Sequence, residues 1–211
     1  VCQQFGLHLH MTEHPRIADP NARKDMIIGY LKLFWAFEPL IFSMQPDYRS
    51  RSSWCQSMQS ILNWNEIRWG DNDALFEYVT AGNNFDINRY LPWNTGGAVQ
   101  YTVSLSRMLR GHPRYIALNL TNLIGPNGVY PGGIGTVEFR GGWSTVDSVA
   151  VQTYINFFQN LYSFAQYCYH TAIRNGHNGN TYINTILDNL RHLNCIPDYC
   201  FQTTENYNTG Q

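Results

Sequence analysis

Three short segments of the chain alternate between apolar and polar residues, and this pattern predicts β-strands with one apolar face. The segments are 5–11, 114–120 and 134–140. Their apolar faces can pack on helices, whereas their opposite faces carry residues that are uncommon on a solvated sheet, above all two histidines two residues apart. These polar-face residues are His8 and His10 in the first segment, Asn119 in the second, and Glu138 and Arg140 in the third.

Longer segments with apolar residues at helical spacing predict helices between and after these strands. The first helix has an N-cap and a first-turn proline at 19–20 and ends before Pro46. The later helices are predicted at about 71–81, from a cap at Ser144 or Thr145 to near Gly176, and at about 180–193.

Composition limits the classes of function. A chain of 211 residues predicts one domain, which we assign to 1–196, followed by a polar tail at 197–211. With a net charge of -1 and no basic run, the chain lacks the electrostatic footprint of a nucleic-acid-binding protein. It has neither a stretch of about 18 uncharged apolar residues nor a signal-peptide pattern, so we expect no membrane association and a cytoplasmic location. The scattered cysteines form no C-x-x-C pair and fit with reduced, buried thiols.

The polar faces of the predicted strands suggest a site for a metal ion and a phosphoryl group. Two imidazoles at i and i+2 on a strand point the same way, and Glu138 on a neighbouring strand would complete a divalent-metal site. Arg140, on the same face, offers the planar set of donors that holds a transferring phosphoryl group. The alternatives are a structural or incidental histidine pair and a simple salt bridge from Glu138 or Arg140 to a neighbouring strand.

These segments carry a resemblance to a known family. G-L-H-L-H-M at 6–11, R-Y-I-A-L-N at 114–119 and G-T-V-E-F-R at 135–140 resemble, in order and spacing, three strand motifs of the amidoligases. Amidoligases are carboxylate–amine ligases of the glutamine-synthetase-like superfamily, and the resemblance covers roughly residues 1–170. It implies an α+β fold, in which an antiparallel sheet has one polar, concave face that binds ATP and divalent cations, Mg²⁺ or Mn²⁺. Long helices pack on the other face of that sheet. The resemblance also implies a reaction in which ATP phosphorylates a carboxylate and an amine attacks the acyl phosphate.

The resemblance assigns roles by position. Arg140 and Glu138 would be catalytic, and His8 and Glu138 would ligate the metal. The residues that the resemblance implies for nucleotide or substrate binding are His10, Arg114 and Asn119, with Arg49 and Arg51 as a basic element after the first helix.

One departure from the family pattern affects these assignments. Family members begin with a strand that carries an E-x-E-like pair, and no acidic residue precedes His8 here. We therefore expect an N-terminally incomplete domain, to which another segment or chain supplies the acidic strand, or a catalytically incomplete relative. The leading hypothesis is an ATP-dependent ligase that joins a small-molecule or peptide carboxylate to an amine. A binding or structural protein that retains the ligase fold is the second, and a zinc hydrolase using His8, His10 and Glu138 is the third.

Overall fold

The structure, a computed structural model, describes residues 6–12, 20–50, 52–62, 67, 72–81, 115–125, 128–129, 135–177 and 179–192. Two of the predicted site residues, Arg51 and Arg114, lie outside the described residues, as does the predicted tail at 197–211.

The described strands form a small antiparallel sheet. Strands β1 (Gly6–Thr12), β2 (Leu118–Asn119) and β5 (Thr136–Trp143) lie in the order β1-β5-β2, so that β5 is the central strand. A separate two-stranded ribbon pairs β3 (Ile124–Gly125) with β4 (Gly128–Val129).

The second predicted strand is shorter than its alternating sequence suggests. Only Leu118–Asn119 has strand geometry, and Ile116 instead forms an isolated parallel bridge with Gln56. The backbone of the segment 52–62 therefore takes the place of a neighbouring strand at this point, with Gln56 N donating to the carbonyl of Tyr115 at 2.7 Å.

The helices with bounds in the described part of the chain are α1 (Pro20–Ser43), α2 (Asp47–Ser50), α3 (Asn72–Ala81), α4 (Ser148–Arg174) and α5 (Gly179–His192). The N-cap of α4 is Asp147, whose carboxylate accepts the backbone N–H of Val149 at 2.9 Å, and not Ser144 or Thr145 as predicted. The reason is that β5 continues to Trp143, so the chain needs further residues to leave the sheet before a helix can begin.

The apolar face of the sheet packs on the long helices. On β5, Phe139 is fully buried and its ring lies 3.9 Å, centroid to centroid, from that of Phe158 on α4. Phe34 of α1 stacks on the same ring of α4 at 6.0 Å, so the two longest helices and the sheet share one core. The described residues confirm the α+β class, with an antiparallel sheet and helices on its apolar face.

The alternation predicted for β1 and β5 is confirmed. In β1 the side chains of Leu7, Leu9 and Met11 pack against the core, while His8 and His10 are exposed. In β5 the buried Val137 and Phe139 belong to the core cluster. The polar face of the sheet is consequently the opposite face, on which the candidate site lies.

Helix α1 is apolar as well as long. Over Ala22–Ser43 it meets the length and composition of a membrane span, but 72% of its apolar window is buried inside the protein. Its buried side chains include Ile27, Leu31 and Trp35, and Trp35 Nε1 donates to the carbonyl of Leu62 at 2.8 Å. These contacts are those of a core helix.

Candidate functional site

The site is organised around Glu138 on the central strand. The register of the sheet pairs Glu138 with His10 on one side and with Asn119 on the other. Residues from all three strands therefore meet at this position, because β5 is hydrogen-bonded to both neighbours. Glu138 is only 5% exposed, although it lies on the polar face.

Four side chains surround the Glu138 carboxylate. His8 Nδ1 lies 2.9 Å and Arg140 Nη1 3.0 Å from Oε1. Asn119 Nδ2 donates to Oε2 at 2.6 Å, and Asn122 Nδ2 donates to the same oxygen at 3.3 Å. A carboxylate has about four lone-pair positions. The described donors therefore fill the hydrogen-bonding capacity of Glu138.

The orientation of the Asn119 amide follows from its second set of contacts. Asn119 Oδ1 accepts the backbone N–H of Thr121 at 2.9 Å and its hydroxyl at 2.7 Å. The amide oxygen is thus engaged by the turn after β2, and the amide NH₂ group faces Glu138. Because the turn holds Asn119 in place, this donor is available to the carboxylate without further reorganisation.

These donors hold Glu138 in its ionised form. Burial alone would raise the pKa of Glu138, but the hydrogen bonds from His8 and Asn119 and the charge of Arg140 outweigh burial and lower it to about 2. The site therefore contains a negative charge at neutral pH, and this charge is held by one guanidinium, one imidazole and two side-chain amides.

Both histidines remain accessible beside this buried charge. The side chains of His8 and His10 are 39% and 44% exposed. His10 Nδ1 lies 3.1 Å from the hydroxyl oxygen of Thr136, and its Nε2 is 3.9 Å from Glu138 Oε1. The polar face thus presents two imidazoles to solvent above an ionised carboxylate.

Arg140 contacts a backbone carbonyl and an aromatic ring as well as Glu138. Its Nε donates to the carbonyl of Trp54 at 3.3 Å, and its guanidinium carbon lies 6.0 Å from the centroid of the Tyr115 ring. Trp54 and Tyr115 meet edge to face at 5.1 Å. The Tyr115 ring therefore lies beside the guanidinium of Arg140, whose side chain is 11% exposed.

Arg49 occupies a different environment from the one predicted for it. It is 2% exposed, and its guanidinium donates to the backbone carbonyls of Gly141 and Arg140, at 3.2 and 2.9 Å. Among the predicted site residues, the structure brings together His8, His10, Asn119, Glu138 and Arg140, and it places Arg49 against the backbone of β5.

The described residues do not complete a metal site by themselves. Within the described ranges, no group of three or more His, Cys, Asp or Glu side chains is arranged to hold a metal ion. Glu138 is the carboxylate of the cluster, and its oxygens are already occupied by the four donors. Mg²⁺ requires an octahedron of oxygen ligands. A divalent cation bound here would need ligands from outside the described residues and would have to displace a donor from Glu138.

Several residues of the site were not predicted. Thr136 lies two residues before Glu138, so the alternation of β5 places it on the same face, and this was a usable indication of its contact with His10. The contacts of Asn122, Trp54 and Tyr115 depend on turns and on the segment 52–62, for which the sequence has no periodic pattern.

Comparisons with protein-family models, with curated proteins and with solved structures gave no match. The interpretation of the site therefore rests on its geometry and on the motifs that the sequence contains.

Proposed function

We propose that this chain is an ATP-dependent carboxylate–amine ligase domain of the amidoligase type, with the sheet of a glutamine-synthetase-like catalytic domain. One observation carries the proposal. The polar residues of three separate motifs, at 6–11, 114–119 and 135–140, meet on adjacent antiparallel strands around one ionised carboxylate.

The reaction joins a small-molecule or peptide carboxylate to an amine. The γ-phosphoryl group of ATP moves to a carboxylate oxygen, which gives an acyl phosphate and ADP. The amine nitrogen then attacks the acyl carbon and loses a proton, and phosphate leaves as the amide bond forms. A domain that uses ATP in this way fits a cytoplasmic location.

Arg140 and the histidines are the residues that would act on the phosphates. A guanidinium held by Glu138 and the Trp54 carbonyl is preorganised to stabilise charge that develops on a transferring phosphoryl group. The accessible imidazole of His10 lies on the same face and can donate a hydrogen bond to a phosphate oxygen. His8 can do so through Nε2 when both of its ring nitrogens are protonated, because its Nδ1 donates to Glu138. The required Mg²⁺ or Mn²⁺ would take its remaining ligands from another segment or another chain.

A second candidate is a binding or structural protein that retains the ligase fold without turnover. The observation that favours it is the saturation of Glu138, since a carboxylate whose four acceptor positions are filled has no free position for a cation. This candidate predicts a folded chain that does not bind ATP with either cation.

Nucleotide binding and acyl-phosphate formation test the proposal in turn. Calorimetric titration of ATP with Mg²⁺ or Mn²⁺ should show binding that disappears without the cation. Arg140→Met should weaken it by about tenfold or more, because a charge-assisted hydrogen bond contributes roughly 1.5–3 kcal/mol. The matched control is Arg174→Met at the exposed end of α4, which should bind ATP like the unmodified chain.

Hydroxylamine is a suitable amine probe for the second stage. With ATP, the cation and a panel of amino acids and short peptides, an acyl phosphate would be trapped as a hydroxamate. Hydroxamate formation that Arg140→Met abolishes and Arg174→Met retains would support ligase chemistry. A folded chain that binds no ATP with either cation would instead contradict the proposal and favour the second candidate.

A further inference from the structure

The pairing of β1 with β5 is interrupted at the site. Leu7 faces Gly142 and Leu9 faces Phe139, so that Arg140 and Gly141 of β5 together face the single residue His8 of β1. This is the pattern of a β-bulge, in which one strand has an extra residue and changes the direction of its side chains. The bulge lies at His8 and Arg140, two of the residues that contact Glu138.

Arg49 binds both residues of this bulge. Its Nε donates to the carbonyl of Gly141 and its Nη2 to the carbonyl of Arg140. Both acceptors are backbone groups, so the guanidinium fixes the path of the strand and leaves the Arg140 side chain free to contact Glu138. The short helix that carries Arg49, Asp47–Ser50, is thereby tied to β5 at the bulge.

The glycines around the bulge are required by the same packing. A Cβ atom on Gly6 would lie 2.6 Å from Arg49 Nη2, and a Cβ on Gly141 would lie 2.7 Å from the ring of Phe139. The guanidinium thus lies directly against β1 as well as against β5. A side chain at position 6 would displace the guanidinium first, because this is the nearest group and the end of a flexible side chain.

We propose that Arg49 is a positioning residue, which clamps the β-bulge so that His8 and Arg140 both reach the carboxylate of Glu138. The importance of this clamp for catalysis rests on the proposed ligase function, but the clamp itself is a statement about the cluster. Lysine cannot replace arginine here, because a single ammonium group lacks the planar pair of donors that reaches two adjacent carbonyls.

The tautomer of His8 is a direct measure of this arrangement. A neutral imidazole whose Nδ1 donates to Glu138 carries its proton on Nδ1, and Nε2 then has none. Long-range ¹H–¹⁵N correlation spectra at alkaline pH, where imidazoles are neutral, distinguish the two tautomers. Glu138→Leu defines the reference spectrum, because leucine has no acceptor for the His8 Nδ1–H, whereas the amide oxygen of glutamine would retain one.

Arg49→Lys is the test variant, and Arg174→Lys is its matched control on an exposed surface. The expected result is that His8 carries its proton on Nδ1 in the unmodified chain and in the control. In Arg49→Lys the proton should move to Nε2, as in the Glu138→Leu reference. An unchanged His8 tautomer in a folded Arg49→Lys chain would overturn the clamp.

Gly6→Ala provides a second route to the same answer if Arg49→Lys does not fold. Its added methyl group displaces the guanidinium while the positive charge remains. A shift of the His8 tautomer in Gly6→Ala supports the clamp, and an unchanged tautomer overturns it. The result is separable from the proposed function, since the tautomer can respond in a chain that binds no ATP.

Discussion

Two buried glutamates of this chain accept hydrogen bonds at both carboxylate oxygens, yet they are held in opposite ways. Glu38 of α1 is 1% exposed and Glu138 of β5 is 5% exposed. Burial raises the pKa of Glu38 to about 7, whereas the pKa of Glu138 is lowered to about 2. The difference lies in the groups that surround each carboxylate.

Glu38 is surrounded by neutral donors from one turn. Its Oε1 accepts the backbone N–H of Met58 at 2.7 Å, and its Oε2 accepts the Ser57 hydroxyl at 2.6 Å and the Gln59 N–H at 2.9 Å. These bonds favour the ionised carboxylate, but burial outweighs them. Glu38 therefore ties α1 to the segment 52–62, and its role is structural.

Glu138 is surrounded by side chains from separate strands, including a guanidinium and an imidazole. Their bonds and charge outweigh burial, so the carboxylate stays ionised beside two accessible histidines. Perturbed pKa values of this kind, next to accessible titratable groups, are concentrated at functional sites. The comparison teaches that burial alone does not set the charge of a carboxylate, whereas charged partners do.

The largest effect is expected from removing the charge of Glu138. Glu138→Gln leaves the largely buried Arg140 without its carboxylate, and this should lower the free energy of unfolding by about 3 kcal/mol. Urea unfolding at pH 7 measures the change. A loss no greater than that of Glu38→Gln would show that the two carboxylates are not held differently.

A second carboxylate beside Glu138 should have the next largest effect. Asn119→Asp replaces a donor that lies 2.6 Å from Oε2 with a like charge, and should cost about 2 kcal/mol at pH 7. Because the two carboxylates can share a proton, part of this loss should be recovered on acidification to pH of about 5. Urea unfolding at the two pH values measures the loss and its recovery. Asn122→Asp, at the longer contact of 3.3 Å, should lose less than Asn119→Asp.

Glu38→Gln should have a smaller effect at pH 7, about 1 kcal/mol, because it retains one acceptor but turns an amide NH₂ toward donors.

The pH dependence of Glu38→Gln is more informative than its effect at pH 7. The pKa of Glu38 is about 7 in the folded chain against an ordinary value of 4.5. Between these values the folded chain binds more protons, so the free energy of unfolding increases as pH falls from 7 to 4.5. Glu38→Gln should lose this gain, which thermal or urea unfolding from pH 8 to 4.5 would detect.

Glu138 should act with the opposite sign in a separate range. Its pKa is about 2 in the folded chain against an ordinary value of 4.5, so its stabilisation is complete above 4.5 and is lost as pH falls toward 2. The difference between the unmodified chain and Glu138→Gln should therefore shrink over this range. A difference that grows instead would contradict the assigned charge state.

The smallest effect is expected at an exposed polar contact on α4. Gln152 Nε2 donates to Asn156 Oδ1 at 2.9 Å on the solvent-facing side of the helix. Gln152→Ala should change the unfolding free energy by less than about 0.5 kcal/mol. This variant sets the background against which the effects at Glu138 and Glu38 are compared.

The sequence predicted the parts of the fold that depend on periodicity. The alternation in β1 and β5 placed Leu9 and Phe139 in the core and His8 and Glu138 on the other face, because a strand has a period of two. The helical stripe of α1 predicted its extent closely, from Pro20 to the last turn before Pro46.

The remaining features depend on tertiary contacts that no local pattern encodes. The bulge is a shift in pairing between two strands, and the alternation within either strand does not reveal where the register changes. The sequence around Glu38 did not indicate that its carboxylate is buried, because its hydrogen-bond donors come from the irregular segment 52–62. The cap of α4 was misplaced because Thr145 and Asp147 are both good N-cap residues, and the end of β5 decides between them.

The most direct test of the account is calorimetric titration of ATP, with Mg²⁺ or Mn²⁺, into the unmodified chain, Glu138→Gln and Glu38→Gln, each first shown to be folded. The account predicts cation-dependent binding to the unmodified chain and to Glu38→Gln, and no detectable binding to Glu138→Gln. Equal binding by Glu138→Gln, or no binding by the folded unmodified chain, would contradict the assignment of the Glu138 cluster as a nucleotide site.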